Sequence, residues 1–242
     1  MLARTGNKRR GIMKEQDKNE VLVHARDLFR AHPWHGIHIG AQAPDVITAY
    51  IEILPTDTVK YELDKGTGLL RVDRPQRFSN VCPELYGLVP QTFCGDLVGA
   101  YCREKTGRDG IVGDGDPLDI CVLTEKHISH ANIFLRARPI GGLRMLDGNE
   151  ADDKIIAILE DDPSYGYWRD ISQCTSMLVE RLKHYFLTYK QAPDARRPAC
   201  EITHVYGAEE AKEVIRQSME DYRNTYSKLA EMMDGIYAMT KK

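Results

Sequence analysis

Asp114-Gly115-Asp116-Pro117-Leu118-Asp119 runs directly into Ile120-Cys121-Val122-Leu123. The apolar run reads as a strand, and the acidic residues before it stand at that strand's mouth. Carboxylates this crowded repel one another unless divalent cations or protons lie between them. In an extended segment Asp114 and Asp116 share a face, and Pro117 fixes φ and bends the chain so that Asp119 rejoins them. The segment therefore predicts an all-oxygen site for more than one metal ion. A calcium loop starting at Asp114 fails, because Leu118 offers no liganding oxygen at its fifth position and Asp119 replaces the glycine needed at its sixth.

Working outward, an alternating pattern begins at Val46. Ile47, Ala49, Ile51 and Ile53 fall on one face and Thr48, Tyr50 and Glu52 on the other, so Glu52 projects away from the core face. In the next short strand Val59, Tyr61 and Leu63 point inward while Lys60 and Glu62 share the opposite side. Further strands are expected over 69–73, 120–123, 133–140, 143–146 and 154–159, with Tyr86-Gly87 as a turn. Two helices follow, one striped by Leu178, Leu182, Tyr185, Phe186 and Tyr189, the other by Ala211, Ile215, Tyr222, Tyr226 and Leu229. The pattern predicts an α+β chain with a mainly β core, a small closed or half-closed barrel.

The remaining composition narrows the partners. The chain has 242 residues and a formal net charge of -3, with acids and bases interspersed, which argues against a nucleic-acid or membrane surface. Its six cysteines include no CxxC pair, so a reducing compartment, the cytoplasm by default, is expected. The first ten residues are basic and lack the apolar core of a secretory signal, which leaves an organelle transit segment open. Residues 18–30 carry a helical stripe stopped by Pro33, so residues 1–45 are expected as an N-terminal helical extension and 46–242 as one catalytic domain. His32, His35 and His38 recur around Trp34, but Pro33 and Gly36 break regular geometry and no acid or cysteine completes a metal set nearby.

Charged and phenolic residues accompany the acidic segment at strand ends. In order they are Ile51-Glu52-Ile53, Lys60-Tyr61-Glu62, Val72-Asp73-Arg74, Tyr86-Gly87, the acidic segment itself, Arg138-Pro139-Ile140-Gly141, Asp147, Asp152, Lys154 and Tyr189-Lys190. This ordered set resembles the family I soluble inorganic pyrophosphatases over most of residues 47–190. The resemblance implies an OB-like barrel with flanking helices and a Mg²⁺-dependent hydrolysis of pyrophosphate to two phosphates, with several ions per site and Mn²⁺ as an alternative. It also implies a homo-oligomer.

Carried over residue by residue, the resemblance places Asp114, Asp119 and Asp152 on a first metal, with Asp119 bridging to a second. Asp147 and Asp152 then hold metals arriving with substrate, and Glu52 joins the metal set. It makes Asp116 the general base. Arg74, Tyr189 and Lys190 hold the leaving phosphate, Lys60 and Tyr86 surround the attacked one, and Glu62 and Lys154 complete the polar lining. Arg supplies a planar fork to phosphate oxygens and Lys a point charge.

Three departures stand out. Cys82 occupies the position of a frequent family tyrosine, Gly148 replaces an acid next to Asp147 with Glu150 close by, and the segment 89–113 is longer than in compact bacterial members. Two competing readings are a phosphohydrolase acting on nucleotides, for which no base-binding motif is present, and an OB-like nucleic-acid module, which the net acidity disfavours.

Overall fold

Residues 31–191 and 200–240 are described by a computed structural model. Within them lie ten strands: β1 (Ile47–Ile53), β2 (Val59–Leu63), β3 (Leu70–Pro75), β4 (Leu85–Leu88), β5 (Val112–Gly113), β6 (Asp119–Leu123), β7 (Ile133–Asp147), β8 (Glu150–Ala151), β9 (Lys154–Leu159) and β10 (Cys200–Gly207). Four α-helices accompany them: α1 (Asp96–Thr106), α2 (Ser176–Thr188), α3 (Ala208–Thr225) and α4 (Ser227–Thr240). The helix expected over residues 18–30 lies outside the described residues.

Strands β1, β4, β6, β9 and β7 pair in that order, and β7 pairs back onto β1, so the five close into a ring. All neighbours in the ring are antiparallel except β6 and β9. Strands β8 and β10 add onto β7, while β2 and β3 form a separate antiparallel hairpin.

Apart from the start of β7, where Phe134 and Arg136 are exposed, both faces of the ring strands are buried, which explains their nearly continuous apolar sequence. In β9, Ile155 and Ala157 join a core cluster containing Val98 of α1 and Val214 and Ile215 of α3, whereas Ile156 and Ile158 join a second cluster with Leu182 and Phe186 of α2. The period-two alternation thus sorts residues between two cores and not between core and solvent.

Several expectations are corrected. Tyr86-Gly87 belongs to β4 and not to a turn. Gly87 is required because a Cβ there would lie 1.9 Å from the Tyr50 carbonyl oxygen on β1. The segments 133–140 and 143–146 are one strand, with a bulge between Pro139 and Gly141. Gly142 within it leaves room for the Tyr206 ring, 2.4 Å from where a Cβ would be. Strand β10 was not anticipated.

The long segment after Val89 is no plain loop, since it contains α1, whose first turn donates the Leu97 and Val98 amides to the Asp221 carboxylate of α3. That contact is an N-terminal anchor supplied from another helix. The second predicted helix breaks at Tyr226, where the ring turns edge-on to Phe93 and Trp34. One compact unit begins at His32, with Trp34 and Ile39 buried within it.

Candidate active site

The acidic segment is shaped by three local devices. Gly115 adopts φ +76°, a left-handed turn that suits glycine. The Asp116 amide donates to Asp114 Oδ1 at 2.9 Å, and the residues after β4 hold the segment in place. There Val89 N donates to Leu118 O at 2.8 Å, Cys94 N to Asp116 O at 2.8 Å, and Leu118 N to Thr92 Oγ1 at 2.9 Å. The start of the long segment is therefore the bracket for the acids, and Asp119 leads into β6 beside Lys154 on β9.

Around this bracket the chain forms a cavity of about 200 Å³. Of the predicted site residues, Glu52, Lys60, Glu62, Tyr86, Asp114, Asp116, Asp119, Asp147, Asp152, Lys154, Tyr189 and Lys190 line it. Arg74 is the exception. Its guanidinium pairs with Asp73 at 2.5 Å and lies 5.9 Å from the centre of the Tyr189 ring, one residue behind the wall.

Every lysine in the cavity is paired with a carboxylate. Lys154, 1% exposed, donates to both Asp119 and Asp152. Lys190 donates to Asp147 at 2.5 Å and Lys60 to Asp73 at 3.1 Å, with Glu62 at 3.6 Å. Tyr86 donates to Asp119 Oδ2 at 2.5 Å, and Glu52 accepts from the Leu63 amide at 2.8 Å, which ties β1 to the end of β2.

The electrostatics mark the acids as under-neutralised. Burial, reinforced by the Asp152 charge, pushes Asp114 up to about 8. Burial and the charge of Asp119 push Glu52 up to about 8, and burial also raises Asp152. Burial works to lower the Lys154 ammonium, but Asp119 and Asp152 beside it hold its pKa well above the usual value. Tyr189 is pushed up to about 12 by burial. Buried acids crowded together with too few cations gain by accepting more positive charge.

Among the described residues no three acidic, histidine or cysteine side chains converge closely enough to hold an ion as they stand, and the Lys154 ammonium lies between Asp119 and Asp152. The donor set still fits hard dications: it is all carboxylate oxygen, it faces one cavity, and the ionised forms of Glu52, Asp114 and Asp152 are disfavoured without added cations.

Residues 49–223 match the family model described as inorganic pyrophosphatase. The chain belongs to the inorganic pyrophosphatase family. It is 57% identical over 203 residues to an inorganic pyrophosphatase of Chlamydia muridarum, covering 82% of this chain and 97% of that protein. It is 40% identical over 196 residues to soluble inorganic pyrophosphatase 2 of Chlamydomonas reinhardtii, covering 81% and 91%. The crystal structure of inorganic pyrophosphatase from Thermus thermophilus aligns with a TM-score of 0.66 at 25% identity, over 79% of this chain and 99% of that one.

Within this cavity the structure also places residues that sequence reasoning left out. Trp34 reaches it from the histidine-rich segment, which was weighed only as a metal site, and Lys65 reaches it from the β2–β3 turn. The available signal for Lys65 was the turn-forming run Asp64-Lys65-Gly66-Thr67-Gly68 one residue beyond Leu63. Glu150, the first residue of β8, lines the cavity just after the turn that carries Gly148. Cys82 is fully buried, in the core cluster behind Tyr86.

Proposed function

We propose that this chain hydrolyses inorganic pyrophosphate to two phosphates. The observation that carries the reading is the pairing of ammonium groups with acids around one cavity, by residues that the family resemblance had named in advance. A cavity built this way can take a polyanion and cations together, each replacing half of an existing ion pair. The five-stranded ring with helices packed outside supports an OB-like description of the fold.

Asp114, Asp119 and Asp152 would hold divalent ions, with Asp147 and Glu52 beside them and Glu150 standing in for the acid that Gly148 lacks. Mg²⁺ is the expected ion and Mn²⁺ the alternative; when bound, such ions stabilise negative charge on the phosphates and make water more acidic. Asp116 stands at the open side of the cavity, its side chain 43% exposed, where it can accept the proton of an attacking water. Lys60 and Tyr86 face the attacked phosphate and Tyr189 and Lys190 the leaving one. Arg74 joins them by exchanging Asp73 for a phosphate oxygen, and Lys154 keeps Asp119 and Asp152 oriented. A homo-oligomer is what the family resemblance implies, and a cytoplasmic place is what the cysteine usage implies. Among the described residues no helix is long and apolar enough to cross a membrane.

Phosphate release from pyrophosphate, measured with and without Mg²⁺ and compared with ATP and tripolyphosphate, tests the reading. Turnover that requires Mg²⁺ and favours pyrophosphate is expected; equal turnover of ATP would move the assignment to a broader phosphohydrolase. In Asp116→Asn, turnover should fall by ~100-fold or more with the fold intact, as for loss of a positioned base.

A further inference from the structure

Lys65 is the cavity's fourth lysine, and nothing in the mechanism so far uses it. Its ammonium pairs with Asp116, 51 residues away in the chain. Both side chains are about half exposed, at 49% and 43%, so the contact can open without moving the core.

The backbone beneath it, by contrast, is tied down. Asp64 Oδ1 accepts from Thr67 N at 2.9 Å and from Thr67 Oγ1 at 2.7 Å. Gly68 N donates to Asp64 O at 2.8 Å, and the Lys65 carbonyl lies 3.2 Å from His32 Nε2. Gly68, at φ +70°, packs so tightly that a Cβ would lie 2.7 Å from the His32 ring. A fixed turn carrying a mobile ammonium allows an exchange of partners over one side-chain length, at little conformational cost.

The chemistry gives that exchange a direction. A pyrophosphate entering the cavity carries several negative charges against the single one of Asp116, and it competes for the same ammonium. We propose that Lys65 is a substrate-binding residue that pairs with Asp116 in the free protein and exchanges it for a phosphate oxygen when pyrophosphate binds. This deepens the hydrolase reading and rests on it.

The test uses the full chain, with Lys65→Gln and Lys65→Arg, and imidodiphosphate as a probe that binds without being consumed. A charge-assisted contact contributes enough that Lys65→Gln should weaken imidodiphosphate binding by roughly tenfold or more in calorimetric titration. KM for pyrophosphate should rise by a similar factor with kcat within about threefold, the pattern of lost substrate binding. Lys65→Arg should restore most of both, and an unchanged thermal midpoint would show that the turn is intact. Wild-type affinity and KM in Lys65→Gln would overturn the proposal, and so would an arginine variant no better than glutamine. If the wild-type chain fails to release phosphate from pyrophosphate, the hydrolase reading falls and this proposal with it. If the wild type is active and Lys65→Gln matches it, only the role of Lys65 falls.

Discussion

Asp152 and Asp153 are neighbours, 8% and 3% exposed, and they face opposite sides of the chain at the start of β9. Asp152 turns into the cavity, where it shares the Lys154 ammonium with Asp119. Asp153 turns into the packing of β7, β10 and α3. There it accepts from Arg144 Nε at 3.2 and 3.1 Å, from Arg144 Nη2 at 3.0 Å and from the Tyr206 hydroxyl at 3.0 Å. The Arg144 guanidinium lies 5.2 and 5.1 Å from the ring centres of Tyr101 and Tyr206. Burial would lower its pKa, but Asp153 beside it more than offsets that, so it stays charged. Burial alone therefore does not separate the acid proposed to hold metal from a structural one. Asp153 takes three hydrogen bonds from Arg144, which reaches Glu210 only at 3.3 Å, and a fourth from Tyr206, whereas Asp152 shares Lys154 with Asp119 and has the charges of Asp114 and Asp119 beside it.

The largest expected effect breaks the structural half. In Asp153→Ala the fully buried guanidinium loses the carboxylate that takes its three hydrogen bonds and keeps only Glu210, at 3.3 Å, and ~3 kcal/mol of stability or more should go with it. Urea denaturation would measure the loss, and a wild-type midpoint would end the distinction drawn between the two aspartates. The apolar pair Arg144→Met with Asp153→Leu should recover most of the stability, because a buried ion pair is replaceable when both charges leave together.

The functional half breaks differently. Asp152→Asn should keep or gain stability, since it removes a buried negative charge from among like charges, and should cost roughly 100-fold or more in turnover through lost metal affinity. Denaturation and phosphate-release assays on the same preparation check both parts. A variant that loses stability while keeping turnover would exchange the roles of the two residues.

The two halves differed in how far the sequence revealed them. The cavity was legible because its residues sit in a fixed order at strand ends, and each could be matched without knowing the fold. The ends of β9, expected at 154 and 159, are where the structure has them, since the apolar run is bounded on both sides by acids. The Arg144–Asp153 pair was hidden. Arg144 lies in the buried run Leu143 to Leu146, and nothing local says which acid meets it. The same limit hid β4, where Gly87 answers to the Tyr50 carbonyl across the sheet, and Lys65, whose partner depends on where the hairpin tip lands. Local periodicity reports which face a residue takes; it does not report what the other side of that face contains.

A smaller effect sharpens the comparison within the structural half. Tyr206→Phe removes one neutral donor from Asp153 and leaves the guanidinium in place. A hydrogen bond to a charged group predicts a loss of about 1.5–3 kcal/mol, below that for Asp153→Ala. Equal losses in the two variants would mean that the hydroxyl, and not the ion pair, holds the cluster together.

The smallest effect comes from a titrating group on which, among the described residues, no opposite charge acts. His35 stacks on Trp34 with ring centres 4.4 Å apart, and its Nδ1 lies 2.9 Å from the Tyr222 hydroxyl. Burial first, and then the nearby His32 charge, lower its pKa from 6.5 to about 4. As pH falls below 6.5 the unfolded chain takes up a proton that the folded chain refuses until about 4, so stability present above 6.5 is lost across that interval. Discounted for the ring's partial exposure, the loss at pH 5 should be about 1 kcal/mol. Other groups titrate over the same range, so the quantity to measure is the change in urea midpoint between pH 7 and pH 5, compared between wild type and His35→Gln. A smaller change in the variant is expected, because glutamine carries no proton to refuse. An identical change would show that the aromatic shelf tolerates a cation, and that burial without a counterion is less costly here than the contrast between Asp152 and Asp153 requires.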